Sequence, residues 1–96
     1  MNSQISQRVA LVTGASRGIG AAIARRLAAD GFAVAINYAS SAAEADALAG
    51  EIRNAGGRAL AVRADVSKAA EVRAMFEQVE AGLGRIGVLV NSAGIL

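Results

Sequence analysis

The sequence contains no cysteine and no histidine, and aromatic residues make up only 3% of its 96 residues. Without cysteine, a disulfide framework and a thiolate metal site are excluded. Without histidine, the commonest metal ligand and general base is missing. No run of 18 apolar residues is available to cross a bilayer, and the N-terminus lacks the apolar stretch of a signal peptide. We therefore expect no metal site, no membrane partner and a cytoplasmic location.

The charge of the chain is also modest. The formal net charge is +2, and the cations are scattered along the sequence. This is too weak and too dispersed to indicate binding of nucleic acid. The length suffices for one domain but not for two. Hydrophobic residues account for 54% of the chain and many of them are alanine, so the core must be built from small side chains at close backbone approach.

Short apolar runs alternate with longer helical patterns, which predicts the order β-α-β-α-β-α-β. Strands separated by helices imply right-handed crossovers and a parallel sheet. The chain, residues 1–96, therefore reads as the first half of a Rossmann-type doubly wound α/β domain, whose ligands bind beyond the carboxyl ends of the strands. The predicted strands are residues 8–14, 32–37, 58–66 and 85–94.

The three predicted helices have recognisable faces and ends. In the first, Ile19, Ile23 and Leu27 form an apolar stripe, and Gly31 can end the helix in the left-handed conformation.

Two further helices have candidate caps. For the second, Ser41 and Glu44 match a capping box. For the third, Ser67 is the candidate cap.

The stretch LVTGASRGIG leaves the first strand through three glycines, at positions 14, 18 and 20. Gly14 permits a sharp turn, Gly18 lets a ligand approach the backbone, and Gly20 lets the helix pack closely on the sheet. The first helical turn exposes unpaired amides and partial positive charge, which suit a diphosphate. The alternative is a glycine turn that only connects strand and helix.

Three motifs carry a resemblance to a known family. TGASRGIG (13–20) resembles the TGxxxGxG signature of the short-chain dehydrogenase/reductase family, DV (65–66) matches its adenine-contact pair, and NSAG (91–94) resembles its NNAG motif. They occur in family order and spacing along essentially the whole chain. The segments VALVTGASRGIG and VNYASS most resemble the 3-oxoacyl-acyl-carrier-protein reductase-like members. Two departures are Ser92, where the family has a second asparagine, and Gly87, where aspartate is common.

The resemblance implies a role for each strand end. Asp65 would accept a hydrogen bond from the adenine amino group, and Thr13 would brace the glycine turn against Asn91. Each position also has a structural alternative, since Asp65 could simply precede a helix and Asn91 could be a turn residue. The expected cofactor contacts are Gly14, Ser16, Arg17, Gly18, Ile19, Gly20, Asn37, Tyr38, Ser40, Ser41, Asp65, Val66, Asn91, Ala93 and Gly94.

The end of the second predicted strand bears on the choice between NAD and NADP. An NAD site has a carboxylate there for the ribose 2′-hydroxyl, but this chain has Asn37. Arg17 could instead bind a 2′-phosphate through a forked guanidinium, with Ser40 and Ser41 as hydroxyl donors. We therefore expect NADP as the cofactor. The alternative for Arg17 is a solvated surface side chain.

The resemblance implies catalysis by a Tyr-x-x-x-Lys pair and a serine, which this chain does not supply. Ala42, not lysine, stands four residues after the single tyrosine, Tyr38, and the one lysine is Lys68. We therefore expect no catalytic residue here. The last apolar strand would also be left unpaired, an aggregation hazard. Both points predict that this chain is the N-terminal part of a protein of about 250 residues and that its domain is incomplete at the C-terminus.

The function expected for the whole protein is NADP(H)-dependent hydride transfer between nicotinamide and a small-molecule carbonyl or alcohol. The resemblance also implies a homo-oligomer. A second hypothesis is a non-catalytic NADP-binding module or sensor. A purely structural interaction domain would require all three strand-end motifs to be coincidental.

Overall fold

The computed structural model describes residues 8–92. Strands and helices alternate along the chain, as the sequence predicts. The elements are β1 (Val9–Thr13), α1 (Gly18–Ala29), β2 (Ala33–Tyr38), α2 (Ala42–Asn54), β3 (Ala59–Arg63), α3 (Ala69–Gly82) and β4 (Ile86–Asn91).

All strand pairings are parallel, and the sheet order is β3-β2-β1-β4. The chain adds β2 and β3 on one side of β1 and then crosses to the other side for β4. This reversal between β1 and β4 is the switch point of a doubly wound sheet, where ligands bind beyond the strand ends. The predicted Rossmann-type α/β fold is confirmed.

The core has two layers, one on each face of the sheet. Helices α1 and α2 cover the face that carries Val12 and Ile36, whereas α3 covers the face that carries Leu11. Neighbouring residues of β1 thus point to opposite faces. Since both faces are covered, β1 is buried along its whole length, which explains its continuous apolar run.

The predicted stripe of α1 is wrong at its first position. Ile19 is 56% exposed, and the buried residues of the helix are Gly20, Ala21 and Ala24. Ile23 and Leu27 pack only partly against the core. The small residues face the sheet and let the helix pack close to it. The larger side chains therefore lie at the margins of the contact between helix and sheet.

The end of α1 is as predicted. Gly31 has φ 97°, and the amide of Phe32 donates to Leu27 O at 3.0 Å, which closes the last turn.

Both predicted helix caps are wrong in their side-chain bonds. Ser41 is the N-cap residue of α2, but its side chain makes no capping hydrogen bond. The N-cap residue of α3 is Lys68 rather than Ser67. The Ser67 hydroxyl instead donates to Asp65 Oδ1 at 2.7 Å, because this carboxylate lies only two residues upstream and forms a local turn.

Strand β4 forms one side of the described sheet and is less buried than β1. Its residues alternate between half-buried and exposed, and Leu89 is 54% exposed. The pairing with β1 shifts register as Val9 pairs with Ile86 and Ala10 with Val88, which leaves Gly87 at the irregularity. A glycine inside a strand commonly marks such a bulge. Within residues 8–92, no helix has the length and apolar character required to span a membrane.

Candidate cofactor-binding site

A cleft of about 520 Å³ opens at the carboxyl ends of the strands, beside the start of α1. It receives residues from the loops that follow β1, β2 and β3, and from the end of β4. The predicted contact residues that line it are Gly14, Ser16, Arg17, Asn37, Tyr38, Ser40, Ser41, Asp65 and Val66. Asn91 lines an adjoining groove of about 200 Å³ with Thr13 and Leu89. Ala93 and Gly94 lie outside the described residues.

The glycine turn has the geometry that its sequence predicts. Gly14 and Gly18 have φ 63° and 66°, a region that favours glycine. A Cβ at Gly20 would lie 2.5 Å from Gly14 O and 2.7 Å from Ser92 Oγ, so no larger residue fits. A Cβ at Gly18 would meet nothing within 4 Å. The chain is therefore closed tightly at Gly20 and open at Gly18.

The end of β1 is fastened to the end of β4 by side-chain hydrogen bonds. Thr13 Oγ1 donates to Asn91 Oδ1 at 3.0 Å and accepts from the Ser92 amide at 3.2 Å. Ser92 Oγ donates to the Thr13 carbonyl. The predicted brace between Thr13 and Asn91 is confirmed. The role of Ser92 was not predicted, although its place in the NSAG motif could have indicated it.

Asn37 fastens the ends of β2 and β3 to the glycine turn. Its side chain is buried, with Oδ1 accepting from the Gly14 amide at 3.1 Å and Nδ2 donating to Ala64 O at 3.2 Å. Its carbonyl also accepts from the Ala15 amide at 2.9 Å. Asn37 thus holds the floor of the cleft. A direct contact of its side chain with the cofactor stays a prediction.

A second clamp joins the loops after β2 and β3, and the sequence reasoning missed it. Arg63 Nε donates to Ala39 O at 3.2 Å, and Arg63 Nη1 donates to Glu71 Oε1 at 3.0 Å. The same carboxylate oxygen accepts from the Asp65 amide at 2.8 Å. The sequence feature that could have indicated this interaction is an arginine at the end of β3 followed by a glutamate in the first turn of α3.

The Asp65 carboxylate is held by the turn that it forms with Ser67. Its Oδ1 accepts from the Ser67 hydroxyl at 2.7 Å and from the Ser67 amide at 3.0 Å. These bonds lower the pKa of Asp65 below its usual range, because they favour the charged form. Asp65 is therefore an ionised hydrogen-bond acceptor on the wall of the cleft at neutral pH.

Arg17 stands at the outer corner of the cleft. Its side chain is 75% exposed, and Nη1 lies 3.8 Å from Glu44 Oε1. Ser40 and Ser41 line the same cleft. The predicted use of Glu44 in a capping box is wrong, since this carboxylate faces Arg17. The corner thus contains a cation and two hydroxyls, together with a carboxylate that the sequence reasoning had assigned to the helix.

The start of α1 fits a phosphate group. The N-cap residue, Arg17, makes no side-chain capping bond, and the first turn holds no acidic residue. No side chain in the first turn therefore competes with an anion for the amides, which carry the partial positive charge of the helix end. Together with the open side of Gly18, the first turn of α1 offers a phosphate room and no acidic side chain of its own.

Comparison with known proteins decides the family. The family model for short chain dehydrogenases matches residues 8–96. The chain belongs to the short-chain dehydrogenase family. The sequence is 55% identical, over 93 residues, to an uncharacterized oxidoreductase of Methylorubrum extorquens, covering 97% of this chain. It is 51% identical, over 86 residues, to the 3-oxoacyl-[acyl-carrier-protein] reductase of Staphylococcus aureus, covering 90% of this chain.

The fold of the short-chain dehydrogenase family is matched among solved structures. The structure of a short chain dehydrogenase from Burkholderia cenocepacia in complex with NADP superposes with a TM-score of 0.85 at 47% identity, covering 93% of this chain and 36% of that one. The chain spans 38% of the length of the Methylorubrum relative and 35% of the Staphylococcus relative.

Proposed function

We propose that this chain is the NADP(H)-binding part of an oxidoreductase that transfers hydride between nicotinamide and a small-molecule carbonyl or alcohol. The observation that carries the proposal is the open start of α1, where the first turn holds no acidic residue and a Cβ placed at Gly18 would meet nothing within 4 Å. A similar dehydrogenase of known structure holds NADP. The named relatives are an oxidoreductase and a reductase, which favours an enzyme over a non-catalytic module.

Each part of the cleft has a proposed task. The amides from Gly18 onward bind the pyrophosphate, with Gly14 shaping the turn. Asp65 accepts from the adenine amino group, and Arg17 binds the 2′-phosphate. Asn91 contacts the nicotinamide-side ribose, and the same task is proposed for Ala93 and Gly94, which lie outside the described residues. The bound nicotinamide supplies or receives the hydride.

The remaining chemistry is proposed for the longer protein. Residues 1–96 hold no Tyr-x-x-x-Lys pair, so the acid that protonates the carbonyl oxygen must come from elsewhere in the polypeptide. The domain would then be completed by that further sequence, and the assembly is proposed to be a homo-oligomer. The cytoplasmic location stays a prediction.

Replacing Arg17 tests the proposal. In the protein that carries this sequence, Arg17→Ala should weaken NADPH binding by about ten- to a hundredfold, because a charge-assisted pair with the 2′-phosphate is lost. NADH binding should change by less than about threefold, since NADH lacks that phosphate. Isothermal titration calorimetry with both cofactors measures the two losses.

Arg26→Ala is the matched control. Arg26 lies in the last turn of the same helix and pairs with Asp30, about 13 Å along the axis from Arg17. It should leave both affinities unchanged. Equal loss of NADH and NADPH in Arg17→Ala, or an equal effect of Arg26→Ala, would contradict the assignment.

A further inference from the structure

The carboxylate of Glu44 lies at the corner proposed for the 2′-phosphate. It is the acidic group within 4.0 Å of the Arg17 guanidinium among the described residues, at 3.8 Å. Asp65 also lines the cleft, but its carboxylate is engaged with Ser67. Glu44 therefore acts on the same cation that the proposed function assigns to the cofactor.

A carboxylate here has opposite effects on the two cofactors. With NADPH, the 2′-phosphate must displace Glu44 from Arg17 and then remain near a like charge, which is unfavourable. With NADH, the ribose 2′-hydroxyl is a donor, which a carboxylate can accept. Glu44 thus opposes the preference for NADPH that Arg17 provides, and the pair as a whole sets the balance.

We propose that Glu44 is a specificity-determining residue that weakens the preference of this site for NADPH over NADH. The proposal rests on the assignment of Arg17 to the 2′-phosphate. Glu44 lies in the first turn of α2, on a rigid element, where the helix dipole favours a negative charge. Its carboxylate lies 3.8 Å from the Arg17 guanidinium, which places the two opposite charges at the same corner.

Asp46 provides a matched control on the same helix. It is exposed, and the described residues offer it no ion pair. A residue two positions from Glu44 lies about 200° further around the helix, so it faces away from the corner. Glu44→Gln and Asp46→Asn each remove one negative charge from α2 and keep an isosteric amide.

The experiment measures dissociation constants of NADPH and NADH for the wild type and both variants at low and high salt. We expect Glu44→Gln to tighten NADPH binding about three- to tenfold, more at low salt. NADH binding should stay the same or weaken. Asp46→Asn should leave both constants within about twofold of the wild type.

Two results overturn the inference without touching the proposed function. One is an equal gain in NADPH affinity for Glu44→Gln and Asp46→Asn, which would reflect net charge alone. The other is unchanged or weaker NADPH binding in Glu44→Gln. Failure of the proposed function looks different, because the wild type would then bind neither cofactor or Arg17→Ala would lose both equally.

Discussion

The sheet has a cleft at each end, and the two clefts differ in what they can bind. The carboxyl-end cleft, of about 520 Å³, is lined by Arg17, the N-cap residue of α1, and by the loops after three strands. The amino-end cleft, of about 340 Å³, lies between the ends of α1 and α2 and is lined by Arg25, Glu51 and the glycines at 31, 56 and 57. Helix starts carry partial positive charge and helix ends carry partial negative charge, so only the first cleft suits a dinucleotide.

At the amino end of the sheet, charged side chains pair with one another or with a backbone carbonyl. Arg25 donates to both oxygens of Glu51, at 2.8 and 3.2 Å, which raises the pKa of Arg25 and lowers that of Glu51. Arg53 donates to Ala59 O at 2.9 Å. The cations there are paired within the protein, whereas the start of α1 is open at Gly18, where an added Cβ would meet nothing within 4 Å. The comparison teaches that the two clefts differ in the polarity of the helix ends that they meet and in whether nearby charges are already paired.

The largest expected effect comes from the close approach at the carboxyl end. Gly20→Ala places a methyl group 2.5 Å from Gly14 O and should destabilise the fold by about 3 kcal/mol or more. Gly50→Ala, inside α2 with nothing within 4 Å of its Cβ, should instead stabilise by about 0.5–1 kcal/mol. Urea unfolding of both variants checks this; a mild effect of Gly20→Ala would show that the turn can open.

Removing the buried side-chain amide of Asn37 should have the next largest effect on the free energy of unfolding. Asn37→Ala leaves the Gly14 amide and the Ala64 carbonyl without their partner, at a cost of about 2–4 kcal/mol. Asn54→Ala, at the exposed end of α2, is the control and should change the free energy of unfolding by less than about 0.5 kcal/mol. Equal losses in the two variants would mean that Asn37 does not hold the cleft floor.

Two surface ion pairs, one at each end of the sheet, test whether NADPH binds only at the carboxyl end. Glu71→Ala removes the acceptor for Arg63 and for the Asp65 amide. The loop that carries Asp65, the proposed adenine contact, should then be held less firmly, and NADPH binding should weaken about three- to tenfold. Glu51→Ala breaks the pair with Arg25 at the other end and should leave NADPH binding within about twofold. Calorimetric titration of both variants measures this, and equal losses would remove the distinction between the two ends.

The smallest effect concerns the pKa of Asp65. Because folding lowers the pKa of Asp65, the turn with Ser67 stabilises the fold at pH values above the ordinary pKa of an aspartate. This stabilisation is lost as the pH falls through the pKa of Asp65 in the folded state. Ser67→Ala should raise the pKa of Asp65 toward its ordinary value, as followed by NMR titration. Ser40→Ala, which leaves both bonds of Asp65 intact, should not move it. An unchanged pKa in Ser67→Ala would mean that the turn is not formed in solution.

The backbone of the carboxyl end was predictable from sequence, because steric limits leave few choices. Glycines at 14 and 20, between a predicted strand and a predicted helix, indicated a sharp turn and a close helix–sheet approach, and the structure has both. Thr13 was likewise placed correctly against Asn91. The exposed corner was less predictable, since long polar side chains can choose among several partners. Glu44 suited a capping box by spacing, yet it faces Arg17, and the Arg63–Glu71 clamp joins residues that only the folded chain brings together.

The most direct test of the central claim is an NMR titration of the ¹⁵N-labelled protein with NADPH, following backbone amides at both ends of the sheet. The account predicts the largest shifts at Gly18, Ile19 and Gly20, with smaller shifts at Asp65 and none at Gly56 or Gly57. Shifts concentrated at the ends of α1 and α2, or no shift at the start of α1 under saturating NADPH, would contradict it.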